Sequence, residues 1–172
     1  MDMQEEKTKQ STFAQSLCEW MEAVVGAAVF CVLLFTFVLR SFSVVGDSML
    51  PTYHEGDRVI ALVPYFGVKS GDVIITDANN GTGAPIIKRV IATEHQRVYI
   101  DTQSGAIFVD DKLFEGPFAQ TPQNLKGDME YPLYVPEGCV FVMGDNRGDS
   151  LDSRFDAVGF IDEKDIIGKA VR

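Results

Sequence analysis

Residues 23–50 read AVVGAAVFCVLLFTFVLRSFSVVGDSML, and the chain changes character in the middle of them. From Ala23 to Leu39 there are seventeen residues without a charge, closed by Arg40. As a helix they span about 25 Å, the short end of a bilayer's hydrocarbon core. Trp20 and Met21 extend the run, Glu22 interrupts it, and Trp20 is suited to a membrane interface. The competing reading is a cleaved signal peptide, with Ser41-Phe42-Ser43 as a weak small-x-small site. The length of the apolar run and a leader, MDMQEEKTKQ, without net positive charge argue against it. A buried core helix is disfavoured because every face is apolar. The expected anchor is therefore a transmembrane helix at 20–40, after a leader at 1–19. Orientation is weakly specified: Lys7 and Lys9 precede the helix and Arg40 follows it.

From Ser41 the texture is that of a β-protein. Short β-branched runs recur at 42–45, 58–63, 73–76, 86–92, 98–101, 107–109 and 139–143. Turn residues separate them, including Gly-Asp at 46, 56, 71, 127, 144 and 148, whose irregular spacing excludes a repeat. No amphipathic helix follows Arg40, so the expected fold is mainly β, a sandwich or barrel over 41–172. Glu115–Tyr131 is the longest candidate loop. The 172 residues suit one ordinary domain, and 46% apolar content permits a core. A formal net charge of −10 argues against a nucleic-acid partner. Cys18, Cys31 and Cys139 form neither a disulfide framework nor a zinc pattern, and with only His54 and His95 no metal centre is expected.

Three segments carry candidate chemistry. In Gly46-Asp47-Ser48-Met49-Leu50-Pro51-Thr52 a strand ends at a glycine turn, which presents Ser48 among free backbone N–H groups. Taken alone, a serine in such a place is an ordinary turn residue. In Ala84-Pro-Ile-Ile-Lys-Arg-Val-Ile-Ala92 two cations interrupt an apolar strand. Alternation sends Lys88 and Arg89 to opposite faces, one to solvent and the other toward the core. A bulged or edge strand with both charges solvated is the bland alternative. A buried lysine loses basicity and becomes able to accept a serine proton. The third segment is Gly144-Asp-Asn-Arg-Gly-Asp-Ser-Leu-Asp-Ser-Arg154, a loop of mixed charges suited to internal ion pairs. A calcium loop does not fit, because Arg147 and Ser150 stand where an acidic ligand and a glycine are needed. The tripeptide Arg147-Gly148-Asp149 matches an adhesion motif by chance. His54 and His95 both read as exposed turn residues, which argues against a Ser-His-Asp triad.

With these segments side by side, the sequence resembles the type I signal peptidase family (peptidase family S26), the membrane-bound leader peptidases of bacteria. GDSMLPT, GDRVI at 56–60, GDVII at 71–75, KRVIA at 88–92 and GDNRGDSLDSR at 144–154 follow the family's order, across about 41–172. The resemblance implies a β-sheet-rich catalytic core behind one N-terminal transmembrane helix. It implies an endopeptidase that cleaves signal peptides from secreted preproteins after small residues, with no cofactor and no metal. Its partners would be those signal peptides and the lipid bilayer. The leader would lie in the cytoplasm and the 41–172 domain on the outer face of the plasma membrane.

By motif, Ser48 is expected as nucleophile and Lys88 as general base, with Ser150 orienting the amine. Asp145, Asp152 and Arg154 would brace the site, Asp152 pairing with Arg154. The N–H of Ser48 would be one oxyanion donor. Some members add a hydroxyl two residues earlier, where this chain has Gly46. Phe42, Val44, Met49, Ile86 and Ile87 match the lining of two shallow substrate pockets beside an extended peptide. Longer members carry an inserted β-domain that Glu115–Tyr131 is too short to hold. Phe42 and Pro64-Tyr65-Phe66 are candidates for an apolar surface dipping into lipid, or for ordinary core packing. Two other readings compete: a LexA-like Ser–Lys autoprotease, disfavoured by the membrane segment, and a membrane-anchored binding module in which Ser48 is only a turn residue.

Overall fold

The computed structural model describes residues 3–63, 65–116 and 127–171, with side chains from Ser16 onward. The chain divides into two compact units, Met1–Leu39 and Arg40–Arg172. The first is helix α1, Met3–Phe37. Its apolar part, Ser16–Phe37, is 22 residues long with a mean hydropathy of 2.1. At the α-helical rise it reaches about 33 Å, enough to cross a bilayer's core. The helix stops earlier than the 20–40 expectation. Leu39 and Arg40 already belong to a strand, β1, Leu39–Ser43, so the β-texture begins before Ser41.

The second unit is built from β1, β2 (Arg58–Leu62), β3 (Val73–Thr76), β4 (Ile87–Ala92), β5 (Arg97–Ile100), β6 (Ile107–Val109), β7 (Lys112–Leu113), β8 (Leu133–Tyr134), β9 (Cys139–Met143), β10 (Ile161–Asp162) and β11 (Ile166–Ala170). A single-turn 3-10 helix, Glu163–Asp165, joins the last two. A seven-stranded sheet has the order β1-β2-β11-β3-β4-β9-β10, and a four-stranded sheet the order β7-β6-β5-β8. The mainly-β expectation stands, with two sheets.

Burial follows from strand alternation. On β9, Phe141 and Met143 join Ile91, Val98, Ile100, Ile107 and Phe114 in a core linking the two sheets. Val140 and Val142 point the other way, to Ile74, Val90, Val158 and Ile161. Both faces of β9 are thus covered, which is why it reads as a continuous apolar run. A third cluster gathers Val44, Val59, Ala61 and Ile75, with Phe42 and Ile87 packed against it.

Four strands lie outside the expected runs: the two-residue β7, β8 and β10, and the five-residue β11. β11 lies inside the larger sheet, antiparallel to both β2 and β3. Its register slips between Ile166 and Gly168, and this bulge breaks the alternation that would have revealed it. Gly168 is needed there: a Cβ would stand 2.9 Å from the Leu62 carbonyl oxygen. Most of the expected Glu115–Tyr131 loop, and Pro64 of the 64–66 turn, lie outside the described residues.

Candidate active site

Strand β4 pairs with β3 so that Ile74 faces Lys88, and with β9 so that Arg89 faces Met143. An interior strand has no solvent face to offer. Lys88 and Arg89 are accordingly both buried, 4% and 1% exposed. The expectation that one of them reaches solvent is corrected: alternation separates them, but each side of β4 is covered.

On one face, Lys88 Nζ lies 2.6 Å from Ser48 Oγ. Burial lowers the Lys88 pKa from its ordinary 10.5 to about 8, and the Arg154 charge acts in the same direction. Asp152 and Asp145 oppose the shift without cancelling it. Ser48 is half-buried in the turn after β1. That turn leaves the strand at Gly46, whose φ of +78° suits a residue without a side chain. The backbone N–H of Ser48 makes no hydrogen bond among the described residues.

On the other face, Arg89 grips Asp145. Its Nε donates to Asp145 Oδ1 at 2.7 Å, Nη2 to Oδ2 at 2.6 Å, and Nη1 to the Gly71 carbonyl at 2.8 Å. This two-pronged contact ties β4 to the 144–154 loop. The loop in turn holds the serine turn. Asn146 donates its N–H to the Ser48 carbonyl at 3.0 Å and its Nδ2 to the Asp47 carbonyl at 3.1 Å. The approach is close enough that a Cβ on Gly144 would stand 2.4 Å from the Ser48 carbonyl oxygen and 2.2 Å from Ser150 Oγ.

Asp152 and Arg154 form a fully buried pair. Arg154 Nε reaches Asp152 Oδ1 at 2.8 Å and Nη2 reaches Oδ2 at 2.9 Å. Asp152 Oδ2 also accepts the Gly144 N–H and the Ser150 hydroxyl, at 2.9 and 2.7 Å. Ser150 therefore spends its proton on Asp152, and no hydrogen bond among the described residues joins it to Lys88. An acceptor lone pair on its oxygen remains. Arg147 is also buried, its Nε on the Gly144 carbonyl at 2.8 Å, with both Nη atoms unpartnered. Burial first, and then Arg154, lower its pKa to about 10.

A cavity of about 100 Å³ opens beside Ser48 and Lys88, walled by Val44, Met49, Ile86 and Ile87, with Pro85 at its rim. Phe42, also expected in that wall, is half-buried and packs against the Val44–Val59–Ala61–Ile75 cluster, as does Ile87 of the wall. A larger cavity of about 440 Å³ touches Arg89 but neither Ser48 nor Lys88. His54 and His95 are exposed, and neither hydrogen-bonds to Ser48. Among the described residues no group of three or more His, Cys, Asp or Glu is placed to hold a metal ion.

The family profile described as signal peptidase, peptidase S26, matches residues 17–172. The chain is 34% identical to signal peptidase I of Bacillus licheniformis over 96% of its length and 91% of that protein. It is 31% identical to signal peptidase I S of Bacillus subtilis, over 94% and 91% of the two chains. With signal peptidase I T of the same organism it shares 34% identity over 87% and 81%.

The chain belongs to the S26 signal peptidase family. It is thereby an enzyme, a hydrolase of the serine-peptidase class. Within this signal peptidase the 40-residue separation of Ser48 and Lys88 closes to a hydrogen bond. Asp145, Ser150, Asp152 and Arg154 fall in one buried network beside it. Arg89, Asn146 and Arg147 were not assigned from the sequence as site residues. One signal in the sequence points to Arg89: an arginine inside an apolar strand needs a buried carboxylate, which Asp145 supplies.

Proposed function

We propose that this signal peptidase cleaves the signal peptides of secreted preproteins after small-x-small sites, with Ser48 as nucleophile and Lys88 as general base. The observation that carries the reading is the 2.6 Å contact between Lys88 Nζ and Ser48 Oγ. A base must be within hydrogen-bond reach of the proton it takes, and poised near working pH. At that distance the proton can sit on either atom. With Lys88 neutral, the hydroxyl donates to the amine. Ser48 Oγ attacks the scissile carbonyl while its proton passes to Nζ. The resulting ammonium returns it to the departing amine, leaving an acyl-enzyme on Ser48. A water, deprotonated by the same amine, then releases the acid. The free N–H of Ser48 is one donor to the developing oxyanion.

In this reading Asp145, Ser150, Asp152 and Arg154 brace the dyad. The extended substrate lies beside β1 and the start of β4. Val44, Met49, Ile86 and Ile87 line a pocket of about 100 Å³ that favours alanine, glycine or serine by size. Phe42 supports that wall from the core. Ser16–Phe37 anchors the enzyme as a single transmembrane helix, the leader in the cytoplasm and 41–172 on the outer face of the plasma membrane. The test is incubation of a secretory preprotein with wild type and Ser48→Ala, the cut mapped by mass spectrometry. Cleavage after a small residue by wild type alone is expected. Equal cleavage by Ser48→Ala would remove the serine from the mechanism.

A further inference from the structure

Asn80 is an asparagine in a surface connection, yet it is 3% exposed. It lies in the segment 77–86 that joins β3 to β4. Its Nδ2 donates to Thr76 Oγ1 at 2.6 Å, to the Asp77 carbonyl at 2.6 Å and to the Ala84 carbonyl at 2.8 Å. Its Oδ1 accepts from Thr82 N at 2.9 Å and from Thr82 Oγ1 at 2.6 Å. Carbonyls only accept and a backbone N–H only donates, so this network admits one orientation of the amide. The side chain replaces the missing ladder of an irregular ten-residue link. One end is pinned to Thr76, which is fully buried and donates its N–H to the Ile86 carbonyl at 3.0 Å. The tip is pinned separately: Gly81, at φ +83°, sits so close that a Cβ would lie 2.1 Å from the Ala157 carbonyl oxygen.

The next residues after Ala84 are Pro85, Ile86 and Ile87, which line the cavity beside Ser48 and Lys88. We propose that Asn80 is a positioning residue for substrate size selection: by holding the Ala84 carbonyl it fixes the Pro85–Ile87 wall and keeps the pocket too narrow for a branched side chain. This rests on that cavity receiving the residue before the cut. Steric discrimination requires a wall that cannot yield, because a pocket that relaxes by part of an ångström admits the extra methyl groups. Without the amide, Thr76 Oγ1 and the Asp77 and Ala84 carbonyls lose the donor that ties them together, the Ala84 carbonyl keeps only the Thr82 hydroxyl at 3.0 Å, and the link is free to move outward. Asn80→Asp keeps the size but turns an acceptor toward those three oxygens.

The experiment uses the full-length enzyme in detergent and two peptides that differ only in alanine or valine before the cut. In Asn80→Ala and Asn80→Asp the alanine-to-valine ratio of kcat/KM is expected to fall by at least about tenfold, the discrimination that small steric differences supply. The pH midpoint of kcat/KM should move little, since Asp152, Arg154 and Asp145, the charges that act on Lys88, are untouched. Thr82→Ala removes one hydroxyl that bonds Asn80 and should lower the ratio in the same direction by a smaller factor. It decides the matter if the Asn80 variants do not fold. A ratio within about twofold of wild type in folded variants, with or without a lower Tm, overturns the proposal, as does an equal loss on both peptides. Ser48→Ala runs alongside: if it cleaves both peptides as wild type does, the reading of the site itself fails, and that outcome is distinct from a merely unchanged ratio.

Discussion

In the proposed mechanism two residues carry most of the weight, and each has a measurable signature. As general base Lys88 would have to be neutral to act, and its pKa of about 8 places the change just above neutrality. We predict that kcat/KM rises with pH with a midpoint near 8. Lys88→Arg should be as inactive as Lys88→Ala, because a guanidinium does not deprotonate in this range. The same shift links to stability. Between pH 8 and 10.5 the unfolded chain holds this proton and the folded one has released it. Stability should therefore rise with pH through that window, and below it the folded state carries the full penalty, about 3 kcal/mol. Denaturant melts of wild type and Lys88→Ala check this, the variant losing that part of the pH dependence. Asp152 is the second residue. Its partner Arg154 is fully buried, so Asp152→Ala removes the carboxylate paired with that cation and leaves the Gly144 N–H and Ser150 hydroxyl without their acceptor. The expected loss is about 3–5 kcal/mol. A shift under about 1 kcal/mol, the scale of an exposed pair, would refute the bracing role.

At the scale of elements, the site is a junction of three segments: the turn after β1, the start of β4 and the loop after β9. Gly144 is where the first and third touch. Its Cβ position is occupied by the Ser48 carbonyl and Ser150 Oγ, and backbone cannot step aside as a flexible side-chain end can. Gly144→Ala should push the serine turn away from the loop and lengthen the Ser48–Lys88 contact. A displacement of about 1 Å costs on the order of a hundredfold in rate. The expected outcome is a fall in kcat of that order with the β-core still folded, read from preprotein cleavage and circular dichroism. Activity near wild type would mean that the loop yields. The Arg89–Asp145 contact works at the same scale, fastening β4 to the loop through residues 56 apart in sequence.

For the whole molecule, the three apolar clusters are drawn entirely from residues 42–170. No described residue of helix α1 belongs to them, and none of its 22-residue apolar stretch is buried. Deleting residues 2–37 should therefore leave a folded β-unit that stays in the supernatant, while the full chain sediments with membranes. Fractionation and Tm measurements test both halves. A truncated chain that aggregates, or a full chain that stays soluble, would contradict the division of labour between helix and sheet.

The sequence by itself determined what is written in neighbouring residues. An unbroken apolar run specifies the helix, because every position must face lipid or core alike. Alternation and turn residues specify β3, β6 and β9 to the residue. Ordered motifs specify which segments carry Ser48, Lys88 and the 144–154 loop. Tertiary structure alone decided the rest, and each case turns on a distant partner. Arg89 is buried because Asp145 arrives from the other end of the domain. The Ser150 hydroxyl turns to Asp152 because that carboxylate is already held by Arg154. Phe42 packs against the core because β2 and β3 offer it an apolar surface. β11 takes an interior place although a glycine and a bulge spoil its pattern, because β2 and β3 both present unpaired backbone to it. Local pattern reports the conformation a segment prefers; which buried charge or edge it meets depends on how segments many residues apart are brought together.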